Sequence, residues 1–231
     1  MKKIYLFVFI VGFSVLFSTG VKAELIGGVE FPKGKISFAD VVVNYIPGSN
    51  VASKYTNTST AIGIPDYLGV NDGSKFVSLG NGGTLILKFV DNALTTSGNN
   101  DIDLWIFEVG PAVESTGVYL SKDGKNWISA GRVEGSTHGI DIDSYIGKGV
   151  IAGEQYFFVK LIDVSDDNFE RTKGSAGADI DAVGAISSII IDNCRDSDND
   201  GVPDKWDTCQ NTPVGSYVDK NGCPASGRNT Q

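Results

Sequence analysis

The chain has 231 residues, 41% of them hydrophobic, and carries 28 Asp and Glu against 19 Lys and Arg, a formal net charge of −9. An acidic excess of that size argues against nucleic acid or an anionic membrane surface as a partner, because both repel it. The length suffices for one core-bearing domain plus a small appendage.

Lys2 and Lys3 open the chain, residues 4–17 are apolar and almost uncharged, and Val21-Lys22-Ala23 places small residues about a cleavage position. This is the tripartite plan of a secretory signal peptide, with cleavage expected after Ala23. The apolar stretch is shorter than the ~18 residues of a membrane-spanning helix. No Cys follows it closely for lipid attachment, and no second long apolar segment follows, so the mature chain is expected to be exported without a membrane span. Cleavage would remove three lysines and no acid, leaving 16 basic against 28 acidic side chains and a net charge of −12. The expected address is extracellular, the cell surface, or the periplasm or outer membrane of a bacterium.

From Glu24 to Asp192 short apolar runs alternate with Gly, Asn, Asp and Pro and no 3.6-residue period is sustained, which predicts an all-β domain, a sandwich or barrel. The clearest strands fall at residues 36–45, 84–90, 102–108, 117–121, 127–130, 156–162 and 182–191. Residues 48–81 are loop-rich, the kind of rim segment where ligands tend to bind. In the second strand Leu85, Leu87 and Phe89 share the face expected to enter the core. In the third, Ile102, Leu104, Ile106 and Glu108 oppose Asp103, Trp105 and Phe107, so both faces are largely apolar and a central strand covered on both sides is expected. Asp123-Gly124, between two β-like runs, predicts a hairpin in which both central residues take positive φ, with Trp127 returning into the core.

Acidic residues gather at the expected strand ends in two sets, Asp91, Asp101, Asp103 and Glu108, then Asp163, Asp166, Asp167, Asp179 and Asp181. These sets could form a second Ca²⁺ site at the strand ends, although strand-flanking Asp is also ordinary turn chemistry. The single His, His138, is expected in a loop; no GxSxG nucleophile elbow accompanies it, and no acidic pair has a recognisable catalytic spacing, so no catalytic residue is assigned.

The sharpest pattern is Asp196-Ser197-Asp198-Asn199-Asp200-Gly201-Val202-Pro203-Asp204-Lys205-Trp206-Asp207. Asp at positions 1, 3, 5, 9 and 12 with Gly at 6 is the spacing that wraps hard oxygen ligands around Ca²⁺, the position-7 ligand being the Val202 carbonyl. Mg²⁺ fits less well because it demands strict octahedral geometry and fewer protein ligands. The flanks are not those of an EF-hand: Ile189-Ile190-Ile191 is strand-like, Pro203 lacks an N–H, and Asp207 is shorter than the usual Glu. The three cysteines, Cys194, Cys209 and Cys223, all lie in this region, and an oxidising compartment favours disulfides there.

The stretch DSDNDGVPDKWDTCQNTPVG followed by YVDKNGCP resembles a single thrombospondin type 3 repeat. The resemblance implies Asp196, Asp198, Asp200, the Val202 carbonyl, Asp204 and Asp207 as calcium ligands and a Cys209–Cys223 disulfide. Cys194 is then left over, and pairing with Cys209, a free thiol and an intermolecular bond all stay open. The peptidoglycan-binding domain that often follows such repeats in outer-membrane proteins has no counterpart in the sequence. More loosely, GGTLILKF, DLWIFE, the segment bearing SKDGKNW and GADIDAV resemble galactose-binding-like jelly-roll domains of bacterial surface proteins. The expected organisation is thus a signal peptide over residues 1–23, a jelly-roll-like β-sandwich over 24–192 and a disulfide-stapled calcium-binding tail over 193–231. The expected function is a noncatalytic surface or secreted module recognising a glycan or a cell-surface protein. The alternatives are a calcium-dependent glycan-active hydrolase and a structural spacer of the cell envelope.

Overall fold

The structure, a computed structural model, describes residues 22–69, 73–109, 114–134, 138–164, 174–191, 197–202, 204–205, 207–213 and 215–224. Residues 1–21, most of the segment expected to be a signal peptide, lie outside the described residues, as do Asp166, Asp167, Cys194 and Asp196.

Thirteen strands are described: β1 (Glu24–Ile26), β2 (Val29–Phe31), β3 (Val41–Ile46), β4 (Val77–Ser78), β5 (Thr84–Lys88), β6 (Asn92–Leu94), β7 (Leu104–Glu108), β8 (Ser115–Ser121), β9 (Ile128–Glu134), β10 (His138–Ile140), β11 (Phe158–Asp163), β12 (Asp179–Ala185) and β13 (Ser188–Ile190). They form a five-stranded sheet in the order β3-β5-β11-β8-β9, a four-stranded sheet in the order β10-β7-β12-β4, and two small pairs, β1-β2 and β13-β6. Every strand pairing is antiparallel, and the all-β sandwich expected from the sequence is what the chain forms.

Alternation builds the core. Leu85, Leu87, Val118, Leu120, Val159 and Leu161 from the five-stranded sheet meet Leu104, Ile106, Ile180 and Val183 from the other, all fully or almost fully buried. Each such side chain contributes ~1.5–3 kcal/mol when fully buried. Phe89 is in this core, as the alternation of its strand predicts. The second face of β7 is covered too: Phe107 joins Ile26, Phe31, Phe38 and Ala182 in a separate cluster, with the Phe31 and Phe38 rings 4.6 Å apart. The β1-β2 hairpin and the turn after it therefore lie over the outer side of the four-stranded sheet.

Four expectations change. Residues 34–37 form a 3₁₀ turn, closed by Phe38 N–H to the Lys35 carbonyl, so the first long strand starts only at Val41. The run 182–191 is two strands, because the N–H groups of Ile186 and Ser187 both turn to the Asp103 carbonyl, at 2.7 and 3.1 Å. The Asp123-Gly124 hairpin exists, but Gly124 alone has positive φ. The Asp123 carboxylate supports the turn by accepting the N–H groups of Lys125 and Asn126, both at 2.8 Å. Trp127 is then half-buried on the outer face, with Lys160 Nζ 4.4 Å from its ring, instead of in the core. Among the described residues no helix is long and apolar enough to cross a membrane.

Candidate metal centre

The aspartate-rich tail folds back on itself. Thr208 N–H bonds the Asn221 carbonyl, Asp219 N–H bonds the Cys223 carbonyl, and the Thr212 hydroxyl donates to the Gly222 carbonyl at 2.7 Å. Cys209 and Cys223 form a disulfide with their Cα atoms 5.0 Å apart, the pairing that the family resemblance implies. The two limbs of the tail are thereby joined beside the aspartates.

Asp198, Asp200 and Asp207 converge, each offering a carboxylate oxygen within 4.8 Å of the other two. One oxygen of each is held by a backbone N–H: Asp198 by Thr212 at 2.6 Å, Asp200 by Val202 at 2.8 Å, Asp207 by Cys209 at 2.7 Å. Asp207 is only 6% exposed, and its Oδ2, like Asp198 Oδ1, is buried with no hydrogen-bond partner. Backbone amides orient these carboxylates, and among the described residues the inward oxygens of Asp198 and Asp207 have no hydrogen-bond partner. A hard divalent cation is the ligand such an oxygen-only donor set suits.

Gly222 closes the other side. A Cβ there would stand 2.0 Å from Asp207 Oδ1 and 3.1 Å from Asp200 Oδ2, so only glycine lets the second limb pass so close. Asp204 is placed differently: its two oxygens accept the Ser197 N–H and hydroxyl, both at 2.7 Å. In loops of this spacing the ninth position often acts through water. Val202 is half-buried next to the cluster in sequence, and Asp196, the first position, lies outside the described residues.

The acidic sets at the strand ends are regrouped by the fold. Glu108 is hydrogen-bonded to Glu114, and burial first, then this neighbour and Asp179 and Asp163, push it up to about 9. Asp179, next to the Ser78 hydroxyl, is raised to about 7 chiefly by burial. Asp163 accepts the Gly82 N–H at 3.0 Å. Asp181, at the bulge where β12 slips against β7, turns away to accept the N–H groups of Asp66 and Tyr67, both at 3.2 Å. Asp103 instead meets Asp141 and Asp143, which spacing along the chain gave no reason to associate with it. His138 is exposed on edge strand β10, paired in register with Ile106, and not in a loop.

One surface hollow has no signature in the sequence. Lys122, Asp123, Asn126, Trp127 and Ile128 line a depression of about 170 Å³ at the β8-β9 turn. Beside it on the same sheet, Lys160 Nζ lies 4.8 Å from the Tyr119 ring.

No family model matches the chain. A 36-residue segment is 58% identical to part of outer membrane porin F of Pseudomonas aeruginosa, covering 16% of this chain and 10% of the porin. A 28-residue segment is 68% identical to part of an alpha-agarase of Thalassotalea agarivorans, covering 12% of this chain and 2% of the agarase. The chain thus matches only a small fraction of either relative. Among solved structures, the C-terminal domain of a Bacteroides fragilis chitobiase is similar at a TM-score of 0.37 and 13% identity, over 68% of this chain and 97% of that one. A Clostridium perfringens protein in complex with its substrate GlcNAc-alpha-1,4-galactose is similar at a TM-score of 0.32 and 13% identity, over 74% of this chain and 17% of that one.

Proposed function

We propose that this is an exported, calcium-binding, noncatalytic surface module, whose tail folds around Ca²⁺ and whose β-sandwich recognises a glycan or another surface partner. The observation that carries the calcium reading is the convergence of Asp198, Asp200 and Asp207 with buried, partnerless oxygens on Asp198 and Asp207. Asp196, Asp204 and the Val202 carbonyl complete the donor set that the loop spacing implies. A disulfide, which persists in oxidising compartments, supports an address outside the cytoplasm. The short identity with an outer-membrane porin supports an envelope or extracellular location. Calorimetric titration of the full mature chain tests the metal: binding is expected in roughly the 10⁻⁴ to 10⁻³ M range of extracellular modules, weakened at least tenfold by Asp200→Ala. No heat of binding up to several millimolar Ca²⁺ would sink the reading.

The glycan part rests on the hollow beside Trp127, where an indole ring adjoins Asp123, Asn126 and Lys122, an apolar face with polar groups at its edge. A glycan array with and without chelator, repeated on Trp127→Ala, checks it; binding that survives the substitution unchanged excludes this surface, and no binding to any glycan favours the spacer.

A hydrolase is the second reading, and the Glu108–Glu114 pair favours it, since a carboxyl kept protonated near neutral pH is what a general acid requires. Release of reducing sugar, abolished by Glu108→Gln, would establish it over the noncatalytic one.

A further inference from the structure

We propose a second divalent-cation site in the β-sandwich itself, formed by Asp103, Asp141 and Asp143 and selective for a calcium-like ion. The antiparallel pairing of β10 with β7 sets Ile140 opposite Leu104, so the residues flanking that pair, Asp141 and Asp103, are brought side by side. Asp103 is fixed through its backbone: its N–H donates to the Ile140 carbonyl at 3.0 Å, and its carbonyl receives Ile186 and Ser187. Asp143 opens the 3₁₀ turn Asp143–Tyr145 that follows β10. The three residues each offer a carboxylate oxygen within 4.8 Å of the others.

The second, independent observation concerns Asp103, which is 0% exposed. Its Oδ2 accepts the Ile142 N–H at 2.9 Å, while its Oδ1 is buried without a hydrogen-bond partner. Asp141 repeats the pattern, with Oδ2 taken by the Ser144 hydroxyl at 2.7 Å and Oδ1 buried and partnerless. Asp143 is oriented by the Ser97 N–H and hydroxyl and the Gly98 N–H, at 2.9, 3.1 and 3.2 Å. Among the described residues no Lys or Arg forms an ion pair with any of the three. Three anchored carboxylates with two orphaned oxygens and no cationic side chain form the same kind of donor set as the tail, built from different elements.

The chemistry selects the ion class. The cluster contains neither His nor Cys, which disfavours zinc and other soft or borderline metals. Carboxylates projecting from two loops make an irregular cage, which Ca²⁺ accepts and Mg²⁺ does not. The bound ion would tie the residues ahead of β7, the 97–98 turn and the exit of edge strand β10 into one unit.

The inference stands apart from the tail reading, and the test keeps them separate. Equilibrium dialysis of the full mature chain against radioactive calcium should give two ions per chain. Asp200→Asn with Asp207→Asn should remove one, Asp141→Asn with Asp143→Asn the other, and all four substitutions both. If the Asp141/Asp143 variant still binds as many ions as wild type, the inference is overturned. One ion lost only with the tail substitutions overturns it too and leaves the tail reading intact, whereas one ion lost only with Asp141 and Asp143 does the reverse. A second measurement does not depend on that variant folding: the tail variant alone should melt several degrees higher in millimolar Ca²⁺ than in chelator, and an unchanged midpoint overturns the proposal.

Discussion

At the scale of single residues, Gly222 carries the sharpest expectation. Its φ of +74° and the 2.0 Å that would separate a Cβ at this position from Asp207 Oδ1 leave no place for a side chain. Gly222→Ala should weaken calcium binding by the tail on the order of tenfold, a conformational strain acting directly on a ligand, while melting of the β-sandwich in chelator stays unchanged; titration and scanning calorimetry together check this. The carboxylates were legible in sequence because Asp198, Asp200 and Asp207 belong to one short loop whose intervals match a cation's shell. Gly222 was not, since it arrives from a second limb brought in by chain reversal, and the Thr212 amide that orients Asp198 reaches it only through the turn beyond Cys209. Asp141 and Asp143 escaped for a similar reason: their partner Asp103 is distant from both along the chain, and only strand register joins them.

At the scale of elements, β7 shows how pattern and packing agree. Its apolar residues on both faces predict cover on both sides, and the structure supplies it, with Leu104 and Ile106 in the main core and Phe107 in the phenylalanine cluster. Phe107→Ala should cost ~3–5 kcal/mol and Leu87→Ala ~2–5 kcal/mol of unfolding free energy, measured by urea denaturation. The strands that sequence reading missed are short: β1, β2, β4, β6 and β10 have two or three residues each, too few for a period of two to register. Apolarity also misled at residues 182–191, where hydrophobic residues continue across a break made by hydrogen bonds to the Asp103 carbonyl. Trp127 went to the outer face because the turn before it is longer than a two-residue hairpin loop, and the turn's length sets which way the returning strand faces.

At the scale of the whole molecule, the buried acids give stability a pH dependence opposite to that of salt-bridged carboxylates. Glu108 and Asp179 are raised in the folded chain, to about 9 and about 7, so the native state binds more protons than the unfolded state between their ordinary values and these. Their stabilising contribution is complete below the unfolded carboxyl range and is lost as pH rises through 7 and then 9. In chelator, the urea midpoint should therefore fall from pH 5 to pH 9, and Glu108→Gln should flatten much of that decline.

The Cys209–Cys223 bond joins the limb bearing Asp207 to the limb bearing Gly222. Closing that ring fixes both walls of the proposed cage at once, so oxidation becomes a licence for loading. On the proposed function, a newly made chain, still reduced, is expected to bind Ca²⁺ weakly and to load fully only once its thiols pair. A reductant added to the finished protein should accordingly lower its tail affinity, and calorimetric titration before and after reduction reads the difference.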